Sequence, residues 1–424
     1  MAENQPGPLR WPNENRMPDC STFTDYAARL REFISRHSQE PGRAALPRSR
    51  VSVETAQQPH PASEGFRHTQ PVDEFNELAW ALFSMQFEHV PTYRRFCEAR
   101  GATLKSVASW KEIPAIPTAA FKEFDLTSLL PAERAAVFHS SGTTTHQPGR
   151  HFHNRESIEV YEASLRPWFR RHVLPELELG KMAFRFIILT PPPDLAPHSS
   201  LAHMFDTARR EFAEDQFLFA GRTEAGWCLD KAEVWTSLSA AARDEEPVVV
   251  LGTAFTFLEL LNWMNENRLR ISLPSGSRAL ETGGYKGRTR ALPKAELYGL
   301  IADRLGIPST HIVGEYGMCE LSSQAYDLVV GAPRSQISNF EFEIHRRFHF
   351  PPWARVQIVS PETGSEVREG ETGLIRICDL ANVRSVLAVQ TEDLGIRRGE
   401  GFELVGRATF AEPRGCSLMS VGAL

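Results

Sequence analysis

From Asp73 onward, apolar residues recur at helical spacing. Phe75, Leu78, Ala79, Leu82, Phe83, Gln86 and Phe87 mark one face, and the run stops before Pro91, which predicts an amphipathic helix. A shorter helix is read around Tyr93 to Ala99, closed by Gly101. Farther along, short apolar runs alternate with helical ones. Ala183 to Thr190, ending in Pro191-Pro192-Pro193, reads as a strand, as does Pro247 to Leu251. Gly252-Thr253 leads into a helix carrying Phe257, Leu258, Leu260, Leu261 and Met264, and a helix from about Lys294 to Arg304 precedes a strand-like His311-Ile312-Val313. This alternation predicts an α/β architecture with a largely parallel sheet. After Trp353 the pattern changes to short strands between glycine- and charge-rich turns: Arg355 to Val359, Gly373 to Cys378, Arg384 to Gln390 and Gly401 to Val405. Ser38 to Pro71 is dense in Pro, Ser, Gln, His and Arg without apolar periodicity, so it reads as a long loop or partly disordered linker. The expected organisation is a peripheral segment and linker over 1–72, an α/β core over 73–350 and a β-rich sub-lobe with a tail over 351–424. No internal repeat or heptad pattern is present.

Bulk composition narrows the class. At 424 residues the chain exceeds one typical hydrophobic core, and its 42% hydrophobic and 24% charged content is ordinary for a globular protein. A net charge of -6 argues against a nucleic-acid-binding surface. No apolar run is long enough to cross a bilayer, and Met1 to Asp19 is polar without an apolar signal core, so a cytoplasmic protein is expected. Cys20, Cys97, Cys228, Cys319, Cys378 and Cys416 are far apart, with no C-x-x-C pair, and are read as reduced thiols. His139, His146, His151 and His153 cluster in sequence but lack Cys or carboxylate partners at metal-ligand spacing.

The candidate chemistry centres on Ser140-Ser141-Gly142-Thr143-Thr144-Thr145, entered from the apolar run Ala135 to Phe138. Glycine allows close backbone approach and each hydroxyl adds a rotatable donor, so several donors can turn toward one anion. That is the composition of a phosphate cradle. Three later segments accompany it: Glu281-Thr282-Gly283-Gly284-Tyr285-Lys286-Gly287, Gly314-Glu315-Tyr316-Gly317-Met318-Cys319-Glu320, and Thr391-Glu392-Asp393-Leu394-Gly395 with Gly406-Arg407.

In order and character these segments resemble the adenylate-forming superfamily of acyl and aryl ligases. Within it they are most similar to the LuxE-type acyl-protein synthetases and their phenylacetate-ligase-like relatives. Phe96-Cys97, Ile113-Pro114-Ala115-Ile116-Pro117, Phe121-Lys122, the Glu281 to Arg288 run and Arg414-Gly415-Cys416-Ser417-Leu418 carry that narrower likeness, which extends from about Phe75 to the end. The resemblance implies an adenylate-forming α/β fold, with ATP and Mg²⁺ serving a carboxylic-acid substrate. Ser140, Ser141, Thr143, Thr144 and Thr145, around Gly142, would donate to phosphate. Gly283 and Gly284 would border adenine, Tyr316 and Gly317 would contact it, Glu320 would ligate Mg²⁺, Asp393 would accept the ribose hydroxyls, and Arg407 would bind ribose or phosphate oxygens.

This sequence departs from the superfamily pattern at three places. Thr145-His146-Gln147-Pro148-Gly149-Arg150 lacks the usual loop lysine, leaving Arg150 as a substitute, and Cys319 stands where a threonine is usual. The sequence stops shortly after Gly406-Arg407, so the superfamily's C-terminal domain is expected to be missing, as in LuxE-type proteins. In those proteins a cysteine near the C-terminus takes the acyl group. Cys416 is the positional match, beside Arg414, where a cation favours thiolate; Cys319 is the rival, with Glu320 disfavouring its thiolate. The onward acceptor would be an acyl-CoA-reductase-type partner or a carrier thiol. The competing readings are a CoA-forming ligase of the phenylacetate type and a non-catalytic nucleotide-binding homologue. The acid, the acceptor and the oligomeric state stay open.

Overall fold

Val248-Val249-Val250-Leu251 is wholly buried in the computed structural model, which describes residues 20–38, 73–140, 147–179, 184–213, 216–222, 228–283, 292–331 and 346–408. The helices are α1 (Phe23–Ser38), α2 (Glu74–His89), α3 (Pro91–Glu98), α4 (Ala120–Glu123), α5 (Arg155–Val173), α6 (Ser200–Phe212), α7 (Lys231–Arg243), α8 (Ala254–Glu266) and α9 (Lys294–Leu305). The strands are β1 (Ile116–Pro117), β2 (Ala136–His139), β3 (Arg150–His153), β4 (Arg185–Ile188), β5 (Phe217–Phe219), β6 (Gly221–Arg222), β7 (Cys228–Leu229), β8 (Val248–Thr253), β9 (Arg278–Thr282), β10 (Ile312–Tyr316), β11 (Ala325–Tyr326), β12 (Ala354–Val359), β13 (Thr372–Asp379), β14 (Ala388–Arg398) and β15 (Gly401–Arg407).

The parallel sheet expected from the alternating pattern is the six-stranded one, in the order β11-β10-β9-β8-β4-β5. Its strands pair in parallel apart from the antiparallel edge β11. Side chains alternate between two layers, as strand geometry requires. Val249 and Leu251 face the larger core, while Val248 and Val250 face a second core formed with α7, α8 and α9. A sheet covered on both faces needs the near-continuous apolar strands seen in the sequence. The β-rich sub-lobe is a five-stranded sheet in the order β1-β14-β13-β12, with β15 on β14.

Two differences from the sequence reading have physical causes. Phe23, Tyr26, Ala27, Leu30, Phe33 and Ile34 bury one stripe of α1 in the larger core, so residues 23–38 are an integral layer and not a peripheral segment. The strand expected over Arg384 to Gln390 begins only at Ala388. Before it, the Arg384 carbonyl accepts from the Ser128 amide at 2.9 Å and the Thr127 hydroxyl at 3.0 Å, so a loop and not a strand satisfies this backbone. Among the described residues, no helix is long and apolar enough to cross a membrane.

Candidate active site

The parallel register aligns the carboxyl ends of three strands. Thr253 of β8 lies opposite Thr282 of β9, and Thr282 opposite Glu315 of β10. Ligands of open α/β sheets bind in the crevice beyond such ends, and the Gly283 and Tyr316-Gly317 segments leave from there. Gly283 has φ +68°, a left-handed conformation that favours glycine. A Cβ on Gly317 would overlap Glu315 Oε1, so a side chain there would require that carboxylate to shift.

Glu315 and Glu281 are buried carboxylates at this edge. Burial pushes the Glu315 carboxyl up to about 7, against the opposing hydrogen bond donated by the Thr282 hydroxyl. Glu281 Oε2 accepts from the Tyr298 hydroxyl at 3.0 Å and pairs with Lys294 Nζ at 3.1 Å. In the sequence Glu281 and Glu315 stand out only as members of the two glycine-containing motifs.

Ser140 and Glu320 meet across a glycine. Gly149 N donates to Ser140 Oγ at 2.8 Å, Ser140 N donates to the Gly149 carbonyl at 2.9 Å, and the β2–β3 hairpin thereby holds both ends of the Ser/Thr loop together. A Cβ on Gly149 would stand 3.0 Å from Ser140 Oγ and 3.1 Å from Glu320 Oε1. The glycine therefore leaves a niche walled by a hydroxyl and a carboxylate oxygen. Burial raises the Glu320 carboxyl, while the Cys319 thiol and the Lys122 and Arg407 cations act the other way. Lys122, which in the sequence stands only within a motif, thus lies near enough to Glu320 to lower its carboxyl. Arg150, the expected lysine substitute, pairs instead with Asp125 at 2.8 Å, a carboxylate it shares with Arg134.

Tyr316 joins the two sheets. Its hydroxyl donates to Asp393 Oδ2 at 2.9 Å, and its ring lies among Phe348, Phe350 and Phe402. Burial raises the Asp393 carboxyl; the Tyr316 hydroxyl and the Arg407 cation lower it. Asp393 and Arg407 are register partners on β14 and β15, and the exposed Arg407 guanidinium lies 3.7 Å from Glu392. The Cys319 thiol is held well above its usual range, first by burial and then by the Glu320 charge, so it is protonated at neutral pH. Thus Ser140, Gly317, Tyr316, Glu320, Asp393 and Arg407 come together, with Gly283 on the same strand edge. Ser141, Gly142, Thr143, Thr144, Thr145, Gly284 and Cys416 lie outside the described residues.

The chain has the α/β fold of adenylate-forming ligase structures. Crystal structures of 2-hydroxyisobutyryl-CoA ligase match it: an open conformation with 2-HIB-AMP and CoA at TM-score 0.55 and 14% identity, over 80% of this chain and 76% of that one. A thioesterification-state structure of the same ligase matches at TM-score 0.56 and 13% identity, over 80% and 69% of the two chains. The family described as acyl-protein synthetase, LuxE, matches residues 65–424, and this chain belongs to that family. The long-chain-fatty-acid–luciferin-component ligase of Aliivibrio fischeri is 21% identical over 368 residues, covering 81% of this chain and 86% of that protein.

Proposed function

We propose that this chain activates a fatty or related carboxylic acid as an acyl adenylate and transfers the acyl group to the Cys416 thiol. The observation that carries the reading is the convergence of Ser140 Oγ and Glu320 Oε1 on the Gly149 niche, with the Tyr316–Asp393 pair alongside, in a LuxE-family chain. In the first step a carboxylate oxygen of the acid bonds to the α-phosphorus of ATP, and the bond to pyrophosphate breaks. The acid is already ionised at neutral pH, so no general base is needed, and the protein's contribution is position and charge neutralisation.

Each residue has a definite task in that step. The Ser140 hydroxyl and the rest of its loop donate to phosphate oxygens. Lys122 and Arg407 supply positive charge near Glu320. Asp393, oriented by Tyr316, accepts from the ribose, and the Gly283 segment borders the base. The niche offers a carboxylate and a hydroxyl oxygen, with Phe121 Cβ as a further wall, and those hard oxygen donors together with phosphate suit Mg²⁺. Glu320 would hold it, and a bound Mg²⁺ would neutralise charge on the departing pyrophosphate. In the second step the Cys416 thiolate attacks the acyl carbonyl, a thioester bond forms and AMP leaves with the electron pair of the mixed anhydride. A reductase-type partner or carrier thiol would then take the acyl group.

The test is product analysis after incubation with ATP, Mg²⁺ and a panel of isotopically labelled acids, with and without CoA. A thioester adduct mapped to Cys416, lost in Cys416→Ser and independent of CoA, supports the reading. Free acyl-CoA without a protein adduct would replace it with a CoA-ligase reading.

A further inference from the structure

We infer that Asn382 and His151 are positioning residues for Glu320, gripping the backbone on both sides of its carboxylate. The inference rests on the reading that Glu320 serves the metal and phosphates of the nucleotide. His151, on β3, bonds through Nδ1 to the Cys319 carbonyl at 2.7 Å. A carbonyl oxygen can only accept, so Nδ1 carries the proton and the tautomer is set. Asn382 Nδ2 donates to the other flanking carbonyl, that of Glu320, at 3.0 Å and to the Val386 carbonyl at 3.0 Å. Both carbonyls that flank the Glu320 α-carbon along the chain are thus held, by two elements distant in sequence, and the carboxylate keeps only its side-chain torsions.

The grip is itself anchored in the core. Gln86 of α2 is fully buried; its Nε2 donates to the Asn382 carbonyl at 2.8 Å and its Oε1 accepts from Leu387 N at 2.8 Å. Asp379 Oδ2 accepts from Ser322 N and Ser323 N at 2.9 Å, fixing the residues that follow Glu320. The Tyr26 hydroxyl of α1 donates to the Leu380 carbonyl at 3.2 Å, so a helix outside the matched family region steadies the same turn. Buried donors spent on two consecutive carbonyls serve more than chain folding: they fix where a desolvated carboxylate points into the Gly149 niche. Outer-sphere partners of this kind typically change metal affinity by about ten- to a hundredfold when removed.

The experiment measures ATP binding by calorimetry in EDTA and across a Mg²⁺ titration, with Mn²⁺ binding by electron paramagnetic resonance as a second readout, and thermal melts alongside. The variants are Asn382→Ala, His151→Gln and His151→Asn. The Asn side chain returns a donor near the place of Nδ1, and Gln displaces it. Positioning predicts that Asn382→Ala and His151→Gln raise the metal concentration for half-saturation by about tenfold or more. ATP affinity in EDTA stays within about twofold, and His151→Asn recovers most of the metal response. Equal loss of ATP affinity with and without metal, an unmoved metal response, no recovery by Asn, or failure of all three variants to fold would each overturn the inference. Glu320→Gln separates the two layers. If it leaves the metal response unchanged, the assigned role of Glu320 falls and the inference falls with it; if it shifts the response while the other variants do not, only the inference falls.

Discussion

Replacing His172 with Phe tests the electrostatics of the core. His172 is buried on α5 between Trp168 and Tyr326, with ring centroids 4.5 and 5.2 Å away. Its Nδ1 bonds to the Leu328 carbonyl at 2.8 Å. Burial pushes the imidazole down to about 3, and the neighbouring Arg171 and His349 charges act in the same direction. The native side chain is therefore neutral throughout pH 5 to 7.5, whereas the unfolded chain takes up a proton below about 6.5. The folded value is depressed, so the stability from keeping His172 neutral is complete above pH 6.5 and is lost as pH falls toward 3. At pH 5 the loss spans about 1.5 pK units at about 1.4 kcal/mol each, or about 2 kcal/mol. Glu315 has the opposite sign, because its raised carboxyl is protonated in the fold as pH falls through about 7. A comparison between the two proteins cancels that contribution. At pH 7.5 His172→Phe should destabilise by about 1–3 kcal/mol, since the Leu328 carbonyl loses its donor. At pH 5 the difference should shrink by about 2 kcal/mol. Urea unfolding of both proteins at the two pH values measures it through the midpoint at constant slope. An unchanged or larger difference at pH 5 would refute the assignment of a neutral, desolvated imidazole.

Other expectations follow from packing and nucleophile identity. Leu30→Ala removes a fully buried side chain of α1 and should cost about 2–5 kcal/mol in thermal or chemical unfolding; a cost below about 0.5 kcal/mol would show α1 to be dispensable. Cys319→Ser should retain covalent acyl loading, because that thiol is buried and protonated; loss of loading in a folded variant would move the nucleophile from Cys416 to Cys319. Lys122→Ala should slow adenylation while leaving the far-ultraviolet spectrum intact, and a full rate would remove Lys122 from the site.

Much of the fold was legible in the sequence because its strands are extreme in composition. Val248 to Leu251 is apolar on both faces, as a central parallel strand must be, and Phe75 to Phe87 carries a clean helical stripe. The α1 stripe Phe23, Tyr26, Leu30 and Ile34 has the same spacing, yet it precedes a Pro- and Ser-rich stretch that drew the whole N-terminal region toward a peripheral reading. Val386 and Leu387 make the Arg384 to Gln390 run read as strand because they are apolar, but loop backbone and side-chain partners satisfy the backbone before Ala388, and apolarity alone cannot show this. The site motifs were visible as local glycine and hydroxyl chemistry. What binds them into one place was not, since the Tyr316–Asp393 bond joins two sheets and the His151, Gln86 and Asn382 contacts depend on tertiary approach. The pairing of Arg150 with Asp125 is a tertiary fact of the same kind.

The most direct measurement is acid-dependent exchange of labelled pyrophosphate into ATP, run on the wild-type chain with a panel of fatty and related acids in the presence of Mg²⁺. Adenylate formation predicts exchange that requires both acid and Mg²⁺ and falls by about a hundredfold or more in Glu320→Gln. A folded protein that binds ATP yet shows no exchange with any acid of the panel, or exchange unaffected in Glu320→Gln, would contradict it.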